Sequence, residues 1–514
     1  MKLKMKKVNV DAGEFTVILN MKNATEMGVR SLDRVKVITP HKTIVAIVET
    51  TKTVIGEGEV GVLCKAYEEL RESQTDEVMV LPTQRPQSVE FIKKKIDGKV
   101  LTTTEMYTII SDITQHQLSD TELTAFLVST HLQGMNLDEV TDMTKAMVET
   151  GATIELDREP VFDFHSIGGV PGNKVTLLVV PIVAAAGLVI PKTCSRAISS
   201  ACGTADILES IARVSLTKEE IKYNAETVGG TIAWGGAVDF APADDMIIRV
   251  EYPLSLDPYS QVIASVLAKK KAVGADYFLL DIPTGPGTKV PDLELANRYA
   301  MDFIEVGKRL GIAVDCAITY GGQPIGKHIG PRLETQEALL ALEGNAISSS
   351  VVEKSVSMAG IILEMGGLDN GKYLAREILA SGKALAKMKE IIGAQDGDPD
   401  ITSADIPPGK FITQIISQTG GYITALHNKA LVRVARAAGA PRDKGAGLVL
   451  LKKRGDKVDR GEAVLEIHSD NKERLEQARR LAQHLRPFTI EGMVLEHIRG
   501  QQRAMDFSGD TRKL

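Results

Sequence analysis

Residues 160–190 read PVFDFHSIGGVPGNKVTLLVVPIVAAAGLVI. Pro160 to Phe164 has the length and apolar content of a buried strand, and His165 to Lys174 is a polar, glycine-rich loop. Val175 to Gly187 is apolar on every side, as a core helix and its turn are, and Leu188 to Ile190 begins a second strand. Strand, loop, buried helix and strand in succession make the repeating unit of a parallel α/β sheet. The apolar run is not a membrane span, because Pro181 and Gly187 break it before ~18 residues have passed.

The same alternation continues downstream. Thr231 to Trp234, Tyr277 to Ile282 and Ile312 to Thr319 read as further buried strands with helical patterns between them, which predicts a mostly parallel sheet whose ligands gather at the strands' carboxyl ends. Upstream, Ser88 to Gly151 reads as helices, with Ser119 and Glu122 at capping-box spacing. Before that, Phe15–Leu19, Arg34–Ile38 and Thr43–Val48 are β-branched runs between polar turns, a small barrel-like module. Leu81 to Pro86, with two prolines, reads as a linker. Beyond Gly420 come the short strands Gly447–Leu451 and Ala463–Ile467 and one long helix, Asn471 to Leu485. The expected fold is α/β in four parts. Residues 1–84 form a β-barrel-like assembly domain and 85–152 a helical domain, with a contribution from about 241–272. Residues 153–420 form the central α/β domain and 421–514 a C-terminal α+β domain.

A chain of 514 residues needs more than one hydrophobic core, and 43% hydrophobic with 25% charged residues are ordinary globular values. The net charge of −6 supplies no broad basic field, and one tryptophan with 4% aromatics makes a poor stacking platform, so neither nucleic acid nor a membrane is expected as a partner. Four cysteines without a CxxC pair suit free thiols and a cytoplasmic location.

Four segments carry possible chemistry. In His165–Lys174 the glycines allow backbone amides to approach an anion, although a plain strand-to-helix turn has the same composition. Cys194-Ser-Arg-Ala-Ile-Ser-Ser-Ala-Cys-Gly-Thr-Ala-Asp-Ile-Leu-Glu209 follows the next strand. There Ser195, Ser199, Ser200 and Thr204 bring hydroxyls, Arg196 a fork of donors, and Gly203 close approach; a capped helix with Asp206 and Glu209 on its dipole is the competing reading. Asp257 stands at a helix start, where it reads as an N-cap followed by Pro258. To donate a proton near neutral pH it needs burial or a nearby phosphate dianion. Ser265 and Lys269, four residues apart, share one helix face. Lys289 leaves the turn Asp281–Lys289 as a point cation. Asp244–Asp245 lacks partners at metal spacing, so no metal is expected.

These segments together resemble the thymidine and pyrimidine-nucleoside phosphorylase family, and within it the archaeal-type branch that acts on AMP. Cys194–Glu209 matches the signature S-[GS]-R-[GA]-[LIV]-x-x-[TA]-[GA]-G-T-x-D-x-[LIV]-E at most positions, departing at Cys194 and Cys202. His165–Gly169, Ala264–Lys270 and Asp281–Lys289 agree in order and spacing, so the resemblance covers essentially the whole chain. It implies substrate held between a helical and an α/β domain that close on binding, and an N-terminal β domain used for assembly into a homodimer or larger homo-oligomer. It implies AMP, CMP or UMP plus phosphate as substrates, no cofactor, and adenine with ribose 1,5-bisphosphate as the products from AMP. Gly168, Gly169, Ser195, Arg196, Ala197, Ile198, Ser199, Ser200, Thr204, Ser265 and Lys289 are the implied nucleotide contacts, and Asp257 the general acid. Phe164 stands where the pyrimidine enzymes carry a phosphate-contacting lysine, which makes Lys174 and Lys289 the expected replacements. A nucleoside phosphorylase is the nearest alternative, and a non-catalytic nucleotide-binding scaffold a more distant one.

Overall fold

The computed structural model describes residues 1–71, 76–197, 200–254, 256–494 and 497–498. The first six strands are β1 (Lys2–Val8), β2 (Thr16–Asn20), β3 (Arg34–Ile38), β4 (Thr43–Thr51), β5 (Glu59–Leu63) and β6 (Glu77–Thr83). They close a barrel in the order β1-β5-β2-β4-β3-β6, with Val17, Leu19, Val35, Val37, Val60, Val62 and Val80 filling its interior. Closure leaves no long free edge. The expected linker at Leu81 does not begin there, because β6 continues through Pro82 opposite Val35. Pairing of β6 with β1 ends at Met79, so the strand carries Pro82 where β1 asks for no amide hydrogen.

Four helices follow, Ser88–Ile96, Thr103–Thr114, Asp120–Gln133 and Leu137–Glu149. Capping boxes open three of them, at Thr102/Glu105, Ser119/Glu122 and Asn136/Glu139. Their apolar faces share one core with two helices from much later in the chain, Pro242–Leu254 and Tyr259–Ala272, through residues such as Ile109, Leu127, Ile247 and Leu267.

The central sheet joins β7 (Phe162–Ser166), β8 (Ile190–Cys194), β9 (Gly230–Trp234), β10 (Tyr277–Thr284) and β11 (Ala313–Tyr320). Strands β11, β10 and β7 run parallel, as do β8 and β9, and a parallel bridge from Val161 to Val189 connects the two groups. Side chains alternate across it. Phe278, Leu280 and Ile282 of β10 pack against the helical bundle, whereas Leu279 and the Phe162 and Phe164 of β7 pack against the apolar helix Thr176–Ala185 on the other face. Burial on both faces is what a parallel sheet requires. Strand β8 lies further along than its apolar start suggests: Ile190-Pro-Lys-Thr-Cys194 is buried throughout, and Lys192 survives there because Asp163 lies across from it.

The C-terminal part is built on two small sheets and two helices. Phe411–Ile416, Ala463–Ser469, Gly447–Leu450 and His328–Ile329 form one sheet, and Lys457–Val458, Gly421–Leu426 and Phe488–Glu491 the other. Helices Asn428–Ala438 and Lys472–Leu485 supply Leu431, Val434, Ala478 and Ala482 to their shared core. Among the described residues no helix is long and apolar enough to cross a membrane.

Candidate active site

The loops after β7, β8 and β10 open on the same side of the sheet, facing the helix Tyr259–Ala272. Gly168 and Gly169 after β7 both adopt φ of +86°, a conformation that L side chains rarely take. A methyl group on Gly169 would stand 2.7 Å from the Lys289 amide nitrogen, so the turn after β10 lies directly against this loop.

The loop after β8 is braced from within. Asp206 accepts hydrogen bonds from the amides of Ala197 (2.7 Å) and Gly203 (2.9 Å) through Oδ2, folding the loop back on itself. A side chain on Gly203 would meet the Ser195 carbonyl at 2.4 Å. Arg196 is not a free anion donor: Glu209 takes both its terminal nitrogens at 2.7 and 2.6 Å, Trp234 lies 4.8 Å beneath it, and Lys444 joins the same carboxylate at 2.7 Å. These cations hold Glu209 down at about 2, the Arg196 hydrogen bond being the largest cause. Ser195 is exposed, Ala197, Ser200 and Thr204 are half-buried, and Ile198 and Ser199 lie outside the described residues. The helix that follows is only Thr204–Leu208, so it brings little dipole to the loop. Cys194 donates its thiol to the Ala233 carbonyl and Cys202 to Glu334, both under burial that pushes the thiols upward, Cys194 to about 11.

Across the cleft, Ser265 and Lys269 do share a face, and both end on one acceptor. Ser265 Oγ donates to Asp244 Oδ2 at 2.8 Å and Lys269 Nζ to the same oxygen at 2.5 Å. Asp244 is fully buried; its Oδ2 takes both donors, and its Oδ1 has no hydrogen-bond partner among the described residues. Among the described residues no three His, Cys, Asp or Glu side chains gather as a metal site would need.

Asp257 departs from its expected role as a cap. Pro258 is the N-cap of the helix Tyr259–Ala272 and no side chain caps it, while the exposed Asp257 carboxylate accepts from Lys289 Nζ at 2.6 Å. This ion pair spans the cleft, from the helical side to the α/β side. Glu251, on the helix Pro242–Leu254, lies within electrostatic reach of Asp244, Asp257, Lys269 and Lys289. Burial, reinforced by the two aspartates, pushes its carboxyl up to about 8. Nothing in its sequence neighbourhood marked it, although it falls seven residues after Asp244, two helical turns along one face.

Two expectations about cations change. Lys174 is fully buried and bound to Glu337 Oε2 (2.6 Å) and to the carbonyls of Ile325 (3.1 Å) and His328 (3.0 Å), so it anchors the C-terminal part and is unavailable to substrate. Phe164 points into the apolar core, while its neighbours Asp163 and His165 face the cleft side, where Lys192 and Lys270 lie. His165, placed in β7 itself, is kept neutral by burial and then by Lys192, Lys270, Lys269 and Lys289.

The chain matches the helical bundle domain of the glycosyl transferase family over residues 89–151, its a/b domain over 158–385, and the pyrimidine nucleoside phosphorylase C-terminal domain over 422–488. It is 48% identical to AMP phosphorylase of Methanosarcina mazei, covering 97% of this chain and 99% of that protein, and equally to the Thermococcus kodakarensis protein of that name at the same coverage. AMP phosphorylase 1 of Archaeoglobus fulgidus is 50% identical over 95% and 97% of the two chains. In fold alone, anthranilate phosphoribosyltransferase from Thermus thermophilus superposes with a TM-score of 0.51 and 22% identity, over 60% of this chain and 99% of that one. The chain belongs to the AMP phosphorylase family, built on the helical and α/β domains of the glycosyl transferase family.

Proposed function

We propose that the chain catalyses phosphorolysis of AMP, and of CMP and UMP by the same route, as a pentosyltransferase of nucleotide salvage. A phosphate oxygen attacks the anomeric carbon as the bond to the base breaks, the departing base takes a proton, and adenine and ribose 1,5-bisphosphate leave. The observation that carries this reading is the cleft-spanning pair of Asp257 and Lys289, set between the Gly168–Gly169 loop and the Ser265–Lys269 face.

In this mechanism the 5′-phosphate replaces the Asp257 carboxylate on Lys289. The exchange frees the Asp257 carboxylate to face the base and relay to it the proton that Glu251 beside it holds, dihydrogen phosphate returning a proton to Glu251 as it attacks. Gly168 and Gly169 offer amides to the nucleotide, Ser195, Ser200 and Thr204 line the ribose side, and Ser265 addresses the base. Holding two anions beside one carbon in a closed cleft supplies the positioning that such a reaction needs. Assembly into a homodimer or larger oligomer belongs to the same reading; the barrel exposes Val10, Met21, Leu32 and Val54 for such a contact.

The test is release of free base from AMP, CMP and UMP and from the matching nucleosides, with phosphate present. Release from the monophosphates at catalytic rates with the nucleosides nearly inert supports the proposal. Preference for nucleosides would replace it with a nucleoside phosphorylase.

A further inference from the structure

One helix of the C-terminal part, Asn428–Ala438, meets the loops of the cleft at both of its ends. Its buried stripe, Leu431, Val434, Ala435 and Ala438, packs into the C-terminal core, as the apolar face of an amphipathic helix does. At its start Asn428 Nδ2 donates to the Gly321 carbonyl at 2.9 Å, and a methyl group on Gly287, in the turn that carries Lys289, would stand 3.3 Å from Asn428 Cβ. At its end Arg436 Nη1 donates at 3.2 Å to the carbonyl of Ser200, in the loop after β8. The next residue of that loop, Ala201, is itself buried in the C-terminal core. The helix of 11 residues thus spans, over roughly 16 Å, the two loops between which the nucleotide is placed.

Arg436 also has a partner on the opposite wall. Its Nη2 donates to the Tyr252 hydroxyl at 3.3 Å, and Tyr252 follows Glu251 on the helix Pro242–Leu254, which packs with the helical bundle. An arginine in the last turn of a helix ordinarily complements the dipole there and ends in water. Here the two arms of the guanidinium are divided, one to a carbonyl of the α/β side and one to a hydroxyl of the helical side, a task for which its planar fork is suited. A side chain from a third part of the chain therefore joins the two walls that enclose the substrate. We propose that Arg436 is a positioning residue for the reaction, fixing the loop after β8 against the C-terminal helix and tying that assembly to the helical wall beside Glu251. The proposal rests on the phosphorolytic reading above. No bond or proton moves at Arg436; it supplies the relative placement of the two walls, and with it the alignment of phosphate and anomeric carbon on which the rate depends.

The experiment compares Tyr252→Phe, Arg436→Met and the double variant with the unaltered chain. Release of adenine from AMP at saturating phosphate gives kcat/KM at a temperature where each chain is folded, and melting temperature is read alongside. Tyr252→Phe removes one oxygen from an exposed ring and should lower kcat/KM for AMP by about 3- to 10-fold, the scale of one hydrogen bond, while its melting temperature stays within about 2 °C. Arg436→Met, which loses the Ser200 bond as well, should lose more, roughly 10- to 100-fold. In the double variant the Tyr252 change should add nothing, because its partner is already gone. A bond that served the fold alone would leave kcat/KM of the folded chains unchanged. A value for Tyr252→Phe within about twofold of the original would therefore overturn the proposal, whatever Arg436→Met does and even if that chain does not fold. So would losses that multiply in the double variant, since the two side chains would then act separately. If the unaltered chain releases base equally well without phosphate, the phosphorolytic reading fails, and the same comparison made on that release still decides the part of Arg436.

Discussion

Asp257 and Lys289 share a hydrogen bond yet answer to different substitutions. Asp257→Asn keeps the shape and removes the proton donor, so kcat should fall by about 10²- to 10⁴-fold with the AMP KM little changed, as steady-state kinetics would register. Equal loss in both parameters would reduce Asp257 to a structural partner of Lys289. Lys289→Ala should instead raise the KM for AMP by roughly 10- to 150-fold while adenosine, handled poorly, is handled no worse. Lys174 sets the contrast: it lies in the same glycine-rich stretch but is sealed against Glu337, whose other partners are the amides of Lys327 and His328. Lys174→Met leaves that carboxylate buried without its cation and should cost about 3–5 kcal/mol in urea unfolding. The sequence placed Ser265 and Lys269 on one face because helical spacing is local. It could not place Lys174, because a four-carbon stem finds its partner through tertiary packing, here 163 residues away.

One helix, Pro242–Leu254, gathers three roles. Asp244 near its start holds Ser265 and Lys269, Arg249 reaches the Gly13 carbonyl and Asp120 between barrel and bundle, and Glu251 stands at the cleft. Glu251 gives this helix a pH signature. In the folded chain its carboxyl keeps its proton up to about 8, whereas in the unfolded chain it ionises in the ordinary glutamate range. The folded state therefore binds the extra proton between those limits. The stability this group contributes is full below the ordinary range and is lost as pH rises through about 8. The melting temperature of the unaltered chain relative to Glu251→Gln should fall from about pH 5 to about pH 8; a constant difference would remove the buried proton. Strand β8 shows the limits of pattern reading at this scale: a lysine in a buried strand contradicts the apolar rule, and the Asp163 carboxylate across the sheet accounts for it. A charge stranded in such a run was itself the available signal.

At the scale of the whole molecule the order of parts was legible, because the barrel's β-branched runs, the capped helices and the apolar β7-helix-β8 unit each carry their own periodicity. The return of Pro242–Leu254 and Tyr259–Ala272 to the bundle follows from the apolar faces they share with it. What the sequence did not disclose were the bonds that close one part on another, such as Asp257 to Lys289 and Arg34 to Glu122 between barrel and bundle. Those depend on exposed or long side chains whose partners lie far along the chain. The central claim, transfer of the ribosyl group to phosphate in this cleft, is tested most directly by phosphorus NMR of the chain incubated with AMP and inorganic phosphate. The predicted result is loss of the inorganic phosphate signal and growth of an anomeric phosphate ester in step with free adenine, with no reaction when phosphate is left out. Adenine appearing with ribose 5-phosphate while inorganic phosphate stays constant would mean hydrolysis and would contradict it.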